Sequence, residues 1–231
     1  MSRREELAAN LAEVRARIER SCAAAGRSAD EVTLVAVTKT FPAEDVRLLA
    51  DLGVTDIGEN RDQEARAKHD ECPGLPVRWH FVGQLQRNKV RSVASYADVV
   101  QSVDGLALAG ALDRVAVAHG REVEVFVQVS LDGDPARGGA YGDDVARVAD
   151  AVAAASSLRL AGVMAVAPLG ADPDEAFAAL AVVAESVRQA HPEAAAVSAG
   201  MSADLDPAVR HGATHVRIGT ALLGRRGTEF R

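Results

Sequence analysis

Val32-Thr-Leu-Val-Ala-Val37 is a short run of mostly β-branched, apolar residues, followed at once by Thr38 and Lys39. A run of this kind, apolar without alternation, reads as a strand covered on both faces. Seven more runs follow, at Val54–Ile57, Val77–Val82, Ala97–Val100, Val123–Val129, Leu160–Ala165, Ala195–Ser198 and Thr214–Ile218. Between them lie helical stretches at Ala43–Asp51, Arg61–His69, Asn88–Ala94, Gly105–Ala118, Asp143–Ala155, Pro173–Gln189 and Ala203–Arg210. Pro42 and Pro173 suit a first helical turn, Asp143 and Asp144 suit a positive helix N-terminus, and Gly53 and Gly120 suit stops. Ahead of the first strand, Leu7, Leu11, Val14 and Ile18 make residues 4–24 an amphipathic helix that Gly26 closes. Eight strands alternating with helices predict an α/β fold, a single (β/α)8 TIM barrel over residues 1–231 with an additional N-terminal helix. A doubly wound open sheet is the rival and normally uses fewer strands.

The formal net charge of -7 and an aromatic content of 3% argue against a nucleic-acid binder, which needs a basic face or stacking platforms. No apolar run approaches the length of a membrane span, and Met1-Ser-Arg-Arg-Glu-Glu does not open a secretory signal. The expectation is a cytoplasmic protein, monomeric, with Cys22 and Cys72 as plain thiols. Of the 26 basic residues only Lys39, Lys68 and Lys89 are lysines, and arginine supplies the other 23. That bias directs attention to each lysine.

Chemistry in a TIM barrel gathers at the C-terminal ends of the strands. Lys39 follows the first strand, and its amine is expected at the mouth of an apolar barrel. Partial desolvation there would favour the free amine that Schiff-base formation needs, although a strand-end lysine also simply reaches to water. After the seventh and eighth strands come two small-residue turns, Gly200-Met-Ser202 and Ile218-Gly-Thr220. Barrels often hold phosphate between these loops, with backbone N–H groups and the Ser202 and Thr220 hydroxyls as donors. Ser202 equally suits an N-cap of the helix from Ala203. A lysine amine and a phosphate clamp together fit a ligand carrying both an aldehyde and a phosphate, namely pyridoxal 5'-phosphate. Arg217 would then face the pyridine nitrogen and leave it unprotonated, or else pair with a nearby carboxylate. Asn60 suits either a hydrogen bond to the cofactor or a helix cap. His80 suits ring stacking or a satisfied place in the core. His211 and His215 lack a third ligand, so no metal site is expected.

The chain resembles the YggS/PROSC family of pyridoxal phosphate homeostasis proteins. The resemblance rests on Leu34-Val-Ala-Val-Thr-Lys-Thr, Gly58-Glu-Asn-Arg-Asp-Gln-Glu, Trp79-His-Phe-Val-Gly-Gln-Leu-Gln-Arg-Asn-Lys and Ser102-Val-Asp. It continues in Gly162-Val-Met-Ala-Val, Ser198-Ala-Gly-Met-Ser-Ala-Asp and Val216-Arg-Ile-Gly-Thr-Ala-Leu-Leu-Gly. It implies a barrel like the N-terminal domain of alanine racemase. It implies that Lys39 forms an internal aldimine with pyridoxal phosphate, that Ser202, Gly219 and Thr220 hold the phosphate, and that Arg217 lies near the pyridine nitrogen. Lys89 matches a family motif without an assigned contact. The glycine-rich segment 132–142 and Ala199 depart from the family pattern.

Two functions use such a site: a non-catalytic protein that binds, buffers or delivers pyridoxal phosphate to apoenzymes, and an amino-acid racemase. Racemisation needs a second acid/base group opposite the lysine. The only tyrosines are Tyr96, before the fourth strand, and Tyr141, in the glycine-rich segment. The homeostasis reading is therefore preferred, and the resemblance to the family carries much of that preference. A barrel lyase acting on a phosphorylated aldehyde sugar would use the same lysine without a cofactor.

Overall fold

The structure, a computed structural model, describes residues 1–224. Strands β1 (Thr33–Val37), β2 (Asp56–Glu59), β3 (Arg78–Phe81), β4 (Val99–Val103), β5 (Val123–Gln128), β6 (Leu158–Met164), β7 (Ala196–Ser198) and β8 (His215–Ile218) form a closed parallel barrel in chain order. β8 closes onto β1 with Ala36 opposite Ile218. The helices are α1 (Arg3–Ala24), α2 (Ala43–Asp51), α3 (Asp62–Glu71), α4 (Val90–Tyr96), α5 (Leu106–His119), α6 (Asp144–Ala153), α7 (Pro173–Ala190), α8 (Leu205–Arg210) and α9 (Thr220–Leu223). The expected TIM barrel with an extra N-terminal helix is thus present.

Local chemistry explains the helix limits. The Ser2 hydroxyl accepts from the Glu5 N–H while the Glu5 carboxylate accepts from the Ser2 N–H, a reciprocal cap that starts α1. Asp172 caps α7 with Pro173 in its first turn. Gly120 ends α5 at φ 62, where a side chain would be strained. Among the described residues no helix is long and apolar enough to cross a membrane.

The main core lies between the strands and the helix ring. Ala36, Ile57, Trp79, Phe81, Val100, Val125, Val163, Val216 and Ile218 face it, together with Leu7, Leu49, Leu112 and Leu180 from the helices. The lumen corrects the expectation of an apolar barrel. A small cluster of Val99, Phe126, Ala161 and Met164 occupies part of it. Asp56, His80, Gln101, Ser198 and Arg217 are also buried, and they join into one chain of hydrogen bonds. The strands therefore do alternate, with an apolar face outward and a mixed face inward.

Candidate functional site

Four neighbouring strands, β7, β8, β1 and β2, bring the expected site residues to one side of the barrel mouth. β1 continues through Thr38, whose N–H donates to the Gly58 carbonyl at 3.0 Å, to Lys39. On one side of Lys39 lies the turn after β8. A Cβ added at Gly219 would sit 3.3 Å from the Val37 carbonyl oxygen, so the two backbones pass closely there. On the other side lies Asn60, just beyond β2. The Gly83 backbone packs so closely on the Asn60 carbonyl that a Cβ at residue 83 would stand 2.1 Å from its oxygen.

Lys39 is exposed, and its amine makes no ion pair or hydrogen bond among the described residues. The surroundings expected to desolvate it are absent, because nothing in the described structure covers the end of β1. Asn60 is half-buried, and its Oδ1 is buried without a hydrogen-bond partner among the described residues, so the amide is not a satisfied helix cap.

Ser202 is not an N-cap either. α8 starts later, behind Asp204, whose carboxylate accepts from the Met201 N–H at 2.6 Å. The Ser202 hydroxyl instead accepts from the Ala221 N–H at 3.2 Å and so joins the turn after β7 to the start of α9. The Ser202, Ala203 and Thr220 N–H groups have no protein acceptor among the described residues. Together with the Ser202 and Thr220 hydroxyls they form a small, donor-rich patch of the sort that receives an anion.

Helix α1 supports this patch from behind. Arg17 donates to the Ser202 carbonyl at 2.6 Å and pairs with Asp206, Asn10 donates to the Leu222 carbonyl at 2.9 Å, and Arg3 donates to the Leu223 carbonyl at 3.0 Å. The sequence suggested no such role, since the apolar stripe of α1 accounts only for its packing.

Arg217 lies one strand position before Ile218 and is 5% exposed. Among the described residues it pairs with no carboxylate in hydrogen-bond range. Its guanidinium donates to the Ser198 hydroxyl at 2.6 Å and to the Ala165 carbonyl at 2.8 Å, and its N–H donates to the Gly200 carbonyl at 2.9 Å. Burial lowers its pKa to about 10, so it is still charged at neutral pH. From Arg217 the chain crosses the lumen. The Ser198 O–H donates to Gln101 Oε1 at 2.7 Å, and Gln101 Nε2 donates to His80 Nδ1 at 2.9 Å. His80 Nε2 then faces Asp56 Oδ1 at 2.8 Å. A carboxylate only accepts, so the His80 ring carries its proton on Nε2 and the donors all run one way, from cation to anion. Burial raises the Asp56 pKa, but the hydrogen bonds from His80 and Thr55 outweigh it and hold the group below its ordinary value. Of the two readings offered for His80, the structure shows the satisfied place in the core, with both ring nitrogens hydrogen-bonded.

A second buried group lies under Lys39. The Thr38 hydroxyl and Lys68 Nζ both donate to Glu59 Oε1 at 2.6 Å, and Lys68 Nζ also donates to the Thr38 carbonyl at 2.7 Å. Desolvation pushes the Glu59 carboxyl up in spite of Lys68, and its Oε2 has no partner. Lys89 lies 3.8 Å from Asp62 and lines a cavity of about 400 Å³ with Asn60, Glu64, Phe81 and Gln86.

Of the tyrosines, Tyr96 is buried and its hydroxyl is pushed well above its usual pKa by desolvation. Tyr141 is 62% exposed, with its ring against Gly133. Segment 132–142 is tied down: Arg137 pairs with Asp132 and donates to the Val166 and Ala167 carbonyls, and the Gly139 N–H donates to Asp104.

Comparison with known proteins bears directly on this mouth. Residues 5–227 match the family model described as alanine racemase, N-terminal domain. The chain is 45% identical to the pyridoxal phosphate homeostasis protein of Mycobacterium leprae, over 96% of this chain and 93% of that protein. It is 42% identical to the protein of the same name from Corynebacterium glutamicum, over 92% of this chain and 99% of that protein. Among solved structures, PipY of Synechococcus elongatus with PLP bound superposes with a TM-score of 0.82 at 35% identity, covering 94% of this chain and all of PipY. D-threonine aldolase from Filomicrobium marinum, at 21% identity and a TM-score of 0.72, shares the fold over 94% of this chain and 60% of its own.

Proposed function

The chain belongs to the pyridoxal phosphate homeostasis family, with the fold of the alanine racemase N-terminal domain, and from that premise we propose that it binds pyridoxal 5'-phosphate covalently through Lys39 in cellular vitamin B6 homeostasis. The observation that carries the reading is the Lys39 side chain at the end of β1, exposed and without an ion pair or hydrogen bond among the described residues, beside the donor patch that the Ser202–Ala221 bond assembles.

The residues present fit the group. Lys39 supplies a primary amine, Asn60 an unsatisfied buried amide oxygen, and Ser202, Gly219 and Thr220 the phosphate donors. Arg217 supplies a fixed cation that cannot take up a proton from a ring nitrogen. When bound, the cofactor supplies an aldehyde that condenses with an amine. The protein's residues bind, orient and hold charge: the lumen chain from Asp56 fixes Arg217, and α1 fixes the phosphate loops.

Binding without turnover is the preferred reading. Carbanion chemistry needs a second acid/base group facing the lysine and a site that excludes water. Lys39 is solvent-exposed, Tyr96 is locked in the core and Tyr141 lies exposed on a tethered segment. The test is the absorption spectrum of the protein with pyridoxal phosphate, before and after borohydride, with peptide mapping and an amino-acid racemisation assay. A yellow band fixed by reduction onto Lys39, without racemisation, is the expected result. A protein that stays colourless with added cofactor overturns the reading.

A further inference from the structure

Lys39 stands between two residues that are both tied to α3. On its N-terminal side Thr38 is fully buried, its carbonyl accepting from Lys68 Nζ at 2.7 Å and its hydroxyl donating to Glu59 at 2.6 Å. On its C-terminal side the Thr40 N–H donates to Glu64 Oε1. Lys68 Nζ lies 2.6 Å from Glu59 Oε1 and 3.6 Å from Glu64 Oε1. Glu64 and Lys68 are one turn apart on α3, so with Glu59 they form one ion-paired group that grips both neighbours of an otherwise exposed lysine.

Thr40 has φ 70, and among the described residues it is the one non-glycine with positive φ. A β-branched side chain in the left-handed region is disfavoured and persists only where its surroundings impose it. Two contacts oppose relaxation: the Phe41 N–H donates to the Thr38 carbonyl at 3.0 Å and closes the turn, and the Thr40 N–H bond to Glu64 holds the left-handed residue itself. Burial of the pair is a second sign. Lys68 and Glu59 are 5% and 0% exposed, and a buried ion pair is poor value as a source of stability, since apolar residues in its place often do as well. What this pair secures is a conformation: the path of the backbone on either side of Lys39.

We propose that Glu64 and Lys68 are positioning residues that hold the Thr38–Thr40 turn in the one conformation presenting the Lys39 amine to a pyridoxal phosphate seated on the Ser202–Thr220 loops. The proposal rests on the reading of Lys39 as the covalent anchor. Neither residue touches the ligand. They set the fraction of molecules in which the amine is in place, and apparent affinity for a covalently held ligand scales with that fraction.

The experiment compares wild type, Glu64→Ala, Glu64→Gln, Lys68→Met and the double variant Glu64→Ala/Thr40→Gly. Three quantities are read: borohydride-fixed loading of Lys39 by pyridoxal 5'-phosphate, the Kd for pyridoxine 5'-phosphate, which has an alcohol where the aldehyde would be, and hydrogen exchange of the Thr40 amide without ligand. Glu64→Ala is expected to weaken covalent loading about tenfold, to keep the pyridoxine phosphate Kd within about twofold, and to speed Thr40 exchange. Glu64→Gln keeps an acceptor and most of the loading. The added Thr40→Gly restores loading, because glycine takes φ 70 without strain. Lys68→Met gives the same selective loss from the other side of the turn. Its folding is checked by circular dichroism because it leaves the buried Glu59 carboxyl without its cation, while Glu64 is part-exposed and its variants keep that pair. Wild-type loading in Glu64→Ala and Lys68→Met, an equal loss of both ligands, or a failed glycine rescue overturns the proposal. A wild type that binds pyridoxine phosphate yet never loads Lys39 overturns the parent reading instead.

Discussion

Replacing Gln101 by leucine cuts the lumen chain in its middle while keeping a side chain of similar bulk. Gln101 is fully buried and meets two partners, accepting from the Ser198 hydroxyl at 2.7 Å and donating to His80 Nδ1 at 2.9 Å. Leucine satisfies neither. The Ser198 proton and the His80 nitrogen are then buried without partners, at about 1–3 kcal/mol each. Relief from burying the amide itself offsets part of this, leaving a loss of about 2–4 kcal/mol. For a chain of this size that corresponds to a fall in Tm of roughly 4–16 °C. Urea and thermal unfolding followed by circular dichroism would measure it. A double-mutant cycle with His80→Leu is the sharper assay, because residues in one network couple by about 0.5–3 kcal/mol while independent core sites add. A Gln101→Leu protein within about 0.5 kcal/mol of wild type, or strict additivity with His80→Leu, would show that the chain is a coincidence of packing.

Lys39→Ala should abolish the reducible adduct and leave stability within about 0.5 kcal/mol, since the side chain is exposed; gross unfolding in a denaturant titration would make Lys39 structural. His215 has its pKa lowered from 6.5 to about 4 by burial beside His80, so the unfolded chain binds its proton first as pH falls. Stability is full above pH 6.5 and is lost between there and about 4, by up to ~3 kcal/mol, and His215→Asn should flatten urea midpoints across that window. Gly83→Ala drives a Cβ toward the Asn60 carbonyl 2.1 Å away and should cost about 1–3 kcal/mol while weakening cofactor retention, measured by unfolding and by dialysis of the loaded protein.

The order of elements was legible because each strand carries an outward apolar face, and Ala36, Ile57, Phe81, Val216 and Ile218 are visible in any pass along the chain. The limits were less so. β2 runs to Glu59 and β4 to Val103, beyond the apolar runs that suggested their ends at Ile57 and Val100. Polar residues extend both strands, and they are stable there only through partners such as Lys68 for Glu59 and Ser198 for Gln101, the latter 97 positions away. No local window around Gln101 contains Ser198, and Lys68, though nine positions from Glu59, is joined to it only by the packing of α3 beside β2. For the same reason Lys39, Asn60, Ser202, Arg217, Gly219 and Thr220 could be named from strand-end positions and from family motifs, while Thr38, Glu64, Lys68, Gln101 and Ser198 were passed over as site residues. One signal was available: among 26 basic residues a lysine at position 68 is a rarity.

The mouth holds its two cations under opposite conditions, and the contrast bears on what such a site is for. Arg217 is buried, donates to Ser198 and the Ala165 carbonyl, and is tied through three side chains to Asp56. Lys39 is exposed and unpaired among the described residues, although the backbone on either side of it is clamped. An enzyme that must steer a carbanion gains by excluding water from the reacting carbon. A protein that must take up an aldehyde and later surrender it gains from the reverse. Water and incoming amines need access to the covalent link, while the ring and phosphate need a rigid seat so that capture costs little ordering. Rigidity at Arg217 and at the Lys39 backbone, combined with exposure at the Lys39 amine, meets both requirements at once. That combination is the physical support for the proposed binding without turnover, and the racemisation assay on the loaded protein is what decides it.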